Sequence, residues 1–117
     1  MPLLIDLAGQ ALAPGDILRL SRNYDLGPGS GPIDLLVYDP RSDDCGLGIV
    51  TVSGRKAGLI LHHFPIASRG ADGGLAVDWL IDNWDDWFVF TYAKDTRIPV
   101  REARVLHPDA RTMPEET

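Results

Sequence analysis

Short apolar runs alternate with turn-forming residues over most of the chain, and the period changes once. After the turn signal APGD, Ala13 to Asp16, the run ILRLS has the composition and two-residue alternation of a strand. The loop DLGPGSGP, Asp25 to Pro32, leads into a second apolar strand, IDLLVYD, Ile33 to Asp39. A polar turn, PRSDDCG, precedes LGIVTV, Leu47 to Val52, and LILHHF, Leu59 to Phe64, which the tight SGRKAG connection joins as an antiparallel hairpin. Later, FVFTY and, after the turn AKDTR, IPVREARVL read as the last strands, with Val100 and Val105 as core candidates.

Between these strands the spacing becomes helical. Val77, Leu80, Ile81, Trp84, Trp87 and Phe88 recur every three or four residues and cover an arc of about 120° on a helical wheel. Asp78, Asp82, Asp85 and Asp86, at i, i+4, i+7 and i+8, fall together on the opposite arc. The same wheel sets Trp79 beside the acidic arc, away from Trp84 and Trp87. Asp78 also suits the N-cap, since a carboxylate there accepts from free amides and favours the positive end of the helix dipole. The pattern predicts an α+β fold: a single β-rich domain over residues 1–107, an antiparallel sheet or partly open barrel of about five to six strands, with one amphipathic helix near residues 77–87. Residues 108–117, PDARTMPEET, are polar and read as a flexible tail.

Composition narrows the class. A chain of 117 residues has room for one core. With 11 Lys+Arg against 17 Asp+Glu its net charge is −6, which disfavours a nucleic-acid backbone as partner and favours a basic one. Cys45 is the single cysteine, so no internal disulfide forms, and a reducing, cytoplasmic compartment is expected. The opening MPLLIDLAGQ lacks a basic start and is interrupted at Asp6, so neither a leader nor a membrane span is read there.

Candidate chemistry is sparse. GPGSG lacks the lysine and hydroxyl of a phosphate-binding loop and precedes a strand instead of a helix. His62 and His63 are neighbours on a strand and point to opposite faces, so they do not converge on one metal. Cys45 has no base nearby in sequence, and Asp43 and Asp44 lack the alternating ligands of a calcium loop. Four carboxylates on one exposed arc stay ionised, unlike the shielded carboxyl of a general acid. No metal, cofactor or enzymatic activity is expected. What stands out is charge: between Arg69 and Lys94 lie Asp72, Asp78, Asp82, Asp85 and Asp86 with no Lys or Arg. A one-sign patch beside a large aromatic suits a binding surface for a cationic partner, with Asp78, Trp79, Asp82, Asp85 and Asp86 as its residues.

GDILRL, VSGRKAGLIL and above all DWLIDNWDDWFV resemble, in order, the motifs of a family of bacterial immunity proteins from polymorphic toxin systems, immunity protein family 45. By position, Trp79, Trp84 and Trp87 match the motif's aromatics, and Gly54, Lys56 and Gly58 its central turn. The resemblance implies a small cytoplasmic α+β protein that binds and neutralises a cognate toxin. Many such toxins are nucleases, in whose basic clefts carboxylates stand in for phosphates. Two alternatives remain open at this point: an SH3-like barrel that binds a peptide or small ligand, with PGDILRL and IPVREARVL as first and last strands, and an enzyme in which His62 or His63 meets Cys45 or an aspartate in space. A dimer that buries the helix on both sides would need cationic mates such as Arg101 or Arg104.

Overall fold

The computed structural model describes residues 1–21, 32–53, 57–90 and 96–107. The 25–32 loop up to residue 31, turn positions Gly54 and Lys56, and the 108–117 tail lie outside these residues. In chain order the strands are β1 (Ala11–Leu12), β2 (Ile17–Leu20), β3 (Ile33–Tyr38), β4 (Gly48–Thr51), β5 (Ile60–His63), β6 (Leu75–Ala76), β7 (Val89–Phe90), β8 (Thr96–Arg97) and β9 (Arg104–Leu106). Helices α1 (Val77–Asp82) and α2 (Trp84–Trp87) lie between β6 and β7, and 3-10 turns occupy Leu4–Leu7, Ile66–Ser68 and Val100–Glu102.

The expected α+β architecture is present. One antiparallel sheet has the order β5-β4-β3-β2-β9, and two-residue ladders pair β1 with β6 and β7 with β8. The last strand returns beside the first of the sheet, as a small barrel requires, but β5 and β9 are both edges and the sheet is not closed. Alternation decides which face is inside. Along β3, Ile33, Leu35 and Val37 are buried while Asp34, Leu36 and Tyr38 are partly exposed. Leu18, Leu20, Ile49 and Val105 extend the same face, on which Val77, Leu80, Trp84 and Phe88 of the helical segment pack. Each such side chain contributes about 1.5–3 kcal/mol by leaving water.

Backbone constraints place the turns. Gly15 has φ +99°, a conformation that side chains resist, and its amide donates to the Val37 carbonyl at 2.8 Å. The next residue, Asp16, is buried; its carboxylate accepts from the Ala13 amide at 2.9 Å and pairs with His107 Nδ1 at 2.9 Å. The GD of the first motif is therefore a turn that fixes the start of β2. The β4–β5 hairpin carries a bulge, since Ile49 faces His62 while Val50 faces Ile60, leaving Leu61 as the extra residue. At the other edge the N-terminal segment lies along β9: Val105 donates to the Pro2 carbonyl at 2.9 Å, Leu4 donates to the Ala103 carbonyl at 2.8 Å, and Leu3 bridges Arg104.

Two expectations are corrected. The helix does not run unbroken from 77 to 87: it stops at Asn83, whose φ of −110° and ψ of 12° leave the helical region. The Asn83 amide and its Nδ2 both reach the Trp79 carbonyl, at 3.0 and 2.9 Å, an end-of-helix arrangement that asparagine favours over continuation. Nor is IPVREARVL one strand. Pro99 lacks the amide a ladder needs, the chain turns through 3-10 geometry at Val100–Glu102, and only Arg104–Leu106 pair with β2. Val105 is fully buried and Val100 partly so. No helix among the described residues is long and apolar enough to cross a membrane.

Candidate functional site: the acidic tryptophan segment

The segment from Val77 to Phe88 is anchored at both ends. At its start the Val77 amide donates to the Gln10 carbonyl at 3.0 Å, and Asp78 Oδ1 accepts from the Gly9 amide at 2.9 Å. Asp78 is thus not the N-cap. Ala76 holds that position without a side-chain bond, and Asp78 sits in the first turn, tied to the N-terminal segment. At its far end Trp84 is buried, its Nε1 donates to the Ile98 carbonyl at 2.6 Å, and its ring stacks on Phe88 at 3.8 Å and 11°. Buried indole N–H groups need such a partner, and here it fixes α2 against the chain returning to β9.

The break at Asn83 resets the helical phase, and with it the tryptophans. Trp79 is half-buried, 6.0 Å from Trp87 and 5.9 Å from Phe64, not set apart from the other indoles as an unbroken wheel requires. His62 adds to this cluster, with its ring edge-on to Trp87 at 5.3 Å and to Phe88 at 6.0 Å. Burial lowers the pKa of His62, and a hydrogen bond to the Trp87 backbone partly offsets that. His63, on the opposite face of β5, is exposed and hydrogen-bonded to the Tyr38 hydroxyl. The two histidines diverge as expected. Among the described residues neither bonds to Cys45 or to a carboxylate, and no group of His, Cys, Asp and Glu has the arrangement of a metal site.

Asp78, Asp82, Asp85 and Asp86 are all exposed. Within α1, Asp78 and Asp82 stand one turn apart; Asp85 and Asp86 follow in the first turn of α2. Among the described residues none of Asp82, Asp85 and Asp86 has an ion-pair partner, whereas Asp34 is bound bidentately by Arg19 at 2.6 and 2.9 Å and Asp39 is met by Arg69 at 3.4 Å. Arg101 and Arg104 are exposed, and Arg104 Nη1 donates to the Met1 carbonyl at 3.0 Å, so neither serves the helical carboxylates.

One neighbour of the segment was not legible in the sequence. The β1–β6 ladder draws Gly9, Gln10 and Ala11 alongside Gly70 and Asp72, and an open cleft of about 340 Å³ between them ends at Asp78. The Asp72 carboxylate, which accepts from the Gly74 amide at 3.0 Å, lines this cleft and continues the acidic surface past α1. A two-residue ladder leaves no periodic signal, so only the shared charge of Asp72 and Asp78 hinted at the approach.

The motif residues therefore divide. Gly15, Asp16 and Trp84 are structural, Trp79 and Trp87 roof the aromatic cluster, and the aspartates face solvent on a backbone fixed from both ends. No curated protein and no solved structure gives a significant match to this sequence. The family profile described as Immunity protein 45 matches residues 4–98, a span that holds all three motifs, the five aspartates and the cleft. The chain belongs to the immunity protein 45 family.

Proposed function

We propose that the chain neutralises a cognate toxin by occlusion, without catalysis, through the surface formed by Asp78, Asp82, Asp85, Asp86 and Trp79, and that the toxin presents a basic, nuclease-type cleft to it. The observation that carries this reading is the exposed row of Asp82, Asp85 and Asp86, which have no cationic mates among the described residues, on a segment locked by Trp84 and Asp78. Exposed carboxylates cost little while hydrated, and they gain when a cationic surface replaces the water; close charge pairs across interfaces couple by about 1.5–7 kcal/mol. A locked backbone loses little freedom on binding, so more of that gain appears as affinity. The half-buried Trp79 adds apolar contact at the edge of the row. Cys45 is a free thiol, consistent with action in the cytoplasm.

Growth rescue on co-expression with the toxin domain, followed by copurification, tests neutralisation itself. Replacing the four aspartates by asparagine tests the surface: the association rate constant should fall at least about tenfold at low salt, and its dependence on ionic strength should flatten. An unchanged rate and salt slope would move the interface elsewhere on the molecule.

A further inference from the structure

The register of the five-stranded sheet brings one apolar side chain from every strand into line on the face turned away from the core. Leu106 of β9 pairs with Ile17 of β2, Ile17 with Leu36 of β3, Leu36 with Val50 of β4, and Val50 with Ile60 of β5. Cross-strand partners project to the same side of a sheet, so these five form one unbroken row, about 19 Å from first strand to last at the usual spacing. The alternate positions, among them Leu18, Leu35 and Ile49, supply the core. Ile17, Leu36 and Val50 are half-buried, while Leu106 and Ile60 at the two ends are 40% and 55% exposed. An antiparallel sheet with one solvated face normally turns polar residues outward. Here the middle row is apolar on all five strands, and no described helix covers it, since α1 and α2 contribute Val77, Leu80 and Trp84 to the core on the opposite side.

We propose that this face seats a second copy of the chain, making a two-fold dimer of sheets packed face to face, with the acidic helices on its two outer sides. Charge favours this occupant. The residues flanking the row on these strands are Arg19, Asp34, Tyr38, His63 and Arg104, two arginines against one aspartate, and Asp34 is already paired with Arg19. A chain of net charge −6 meets its own copy with least repulsion on such a face, whereas a cationic toxin is steered to the carboxylates behind it. Symmetry favours it too. Leu36 is the centre of the row, and a two-fold axis along β3 sets Leu106 opposite Ile60 and Ile17 opposite Val50, apolar on apolar at every strand, with each Arg19 offset by one strand from the Asp34 across the interface. The footprint is modest: five strands by about four residues span roughly 300 Å² in projection, below the ~800 Å² per partner of a stable interface, so the pairing is reversible and concentration-dependent.

Sedimentation equilibrium of the full chain from low micromolar to near-millimolar concentration tests this. The wild type should shift from the 12.8 kDa single-chain mass toward twice that value, more readily as salt is added, because screening relieves the repulsion of two acidic chains. The double variant Ile60→Lys, Leu106→Lys changes only exposed positions and lowers the net charge to −4, which by itself would ease self-association. It should nonetheless weaken the dimer by roughly a hundredfold, with an unchanged circular dichroism spectrum and melting temperature. The asparagine variant of the four helical aspartates should dimerise as well as the wild type or better. A wild type that stays at the single-chain mass throughout, or a lysine variant that associates like the wild type, would overturn the proposal. So would loss of toxin binding by the lysine variant with no change in self-association, which would give the face to the toxin.

Discussion

Trp84 and Trp79 share a motif and divide its work. Trp84 is enclosed, stacked on Phe88 and bonded to the Ile98 carbonyl. Trp84→Ala should cost about 3–5 kcal/mol, from the cavity left and the carbonyl stranded, and Trp84→Phe about 2 kcal/mol, both read from urea unfolding. Trp79 is half-buried, so Trp79→Ala should cost the fold only about 1 kcal/mol, and on the proposed surface it should weaken toxin binding by more than that. Comparing unfolding with titration calorimetry separates the two roles. His62 adds a dependence on acidity. Burial among Phe64, Trp87 and Phe88 lowers its proton affinity below the ordinary 6.5, so the unfolded chain binds this proton at a higher pH than the native chain does. The contribution to stability is complete above about 6.5 and drains away as pH falls from there through the lowered native value. Thermal melts from pH 7.5 downward should show the wild type losing stability faster than His62→Phe over that interval.

The elements divide by how much of their geometry is local. β2, β3 and the β4–β5 hairpin were legible because alternation and turn residues act over a few positions, and the pairing of His62 and His63 with opposite surroundings follows from that same period. The helical segment was legible as amphipathic but not as broken, because a wheel assumes constant phase and Asn83 interrupts it. That single interruption moved Trp79 from an isolated edge to the side of Trp87. β1 with β6 and the N-terminal strap over β9 were out of reach, since pairs of two residues or single bridges between distant segments carry no repeating pattern. Of the candidate site, the exposure of the four aspartates was readable, and the cleft joining Asp78 to Asp72 was not. At this scale Gly48 is the tightest test of packing between strands. A Cβ there would lie 2.8 Å from the His62 carbonyl oxygen and 2.8 Å from both the His63 and Tyr38 rings. Gly48→Ala should therefore force β5 away from β4, at about 1–3 kcal/mol, and raise amide exchange in β5 before it does so in β2 or β3.

At the scale of the whole molecule, charge and apolar surface lie on opposite sides of one sheet: carboxylates over the helices, the row from Leu106 to Ile60 behind. Among the described residues Asp82, Asp85 and Asp86 have no ion-pair partner, so Asp82→Asn, Asp85→Asn and Asp86→Asn together should change the stability of the free chain by less than about 0.5 kcal/mol per site, and in the favourable direction at low salt, where like charges repel most. Urea midpoints at two ionic strengths check this. The same arrangement orders the steps of synthesis. Pro2, Leu3 and Leu4 find their hydrogen-bond partners in Ala103, Arg104 and Val105, about a hundred residues later in the chain, and β2 completes its pairing only with β9. Loops of that length close late, and until residue 105 has cleared the ribosome a growing chain holds β2 with one side open. A chain cut short before residue 104 therefore leaves one side of β2 and residues 2–4 without the partners that hold this edge of the sheet.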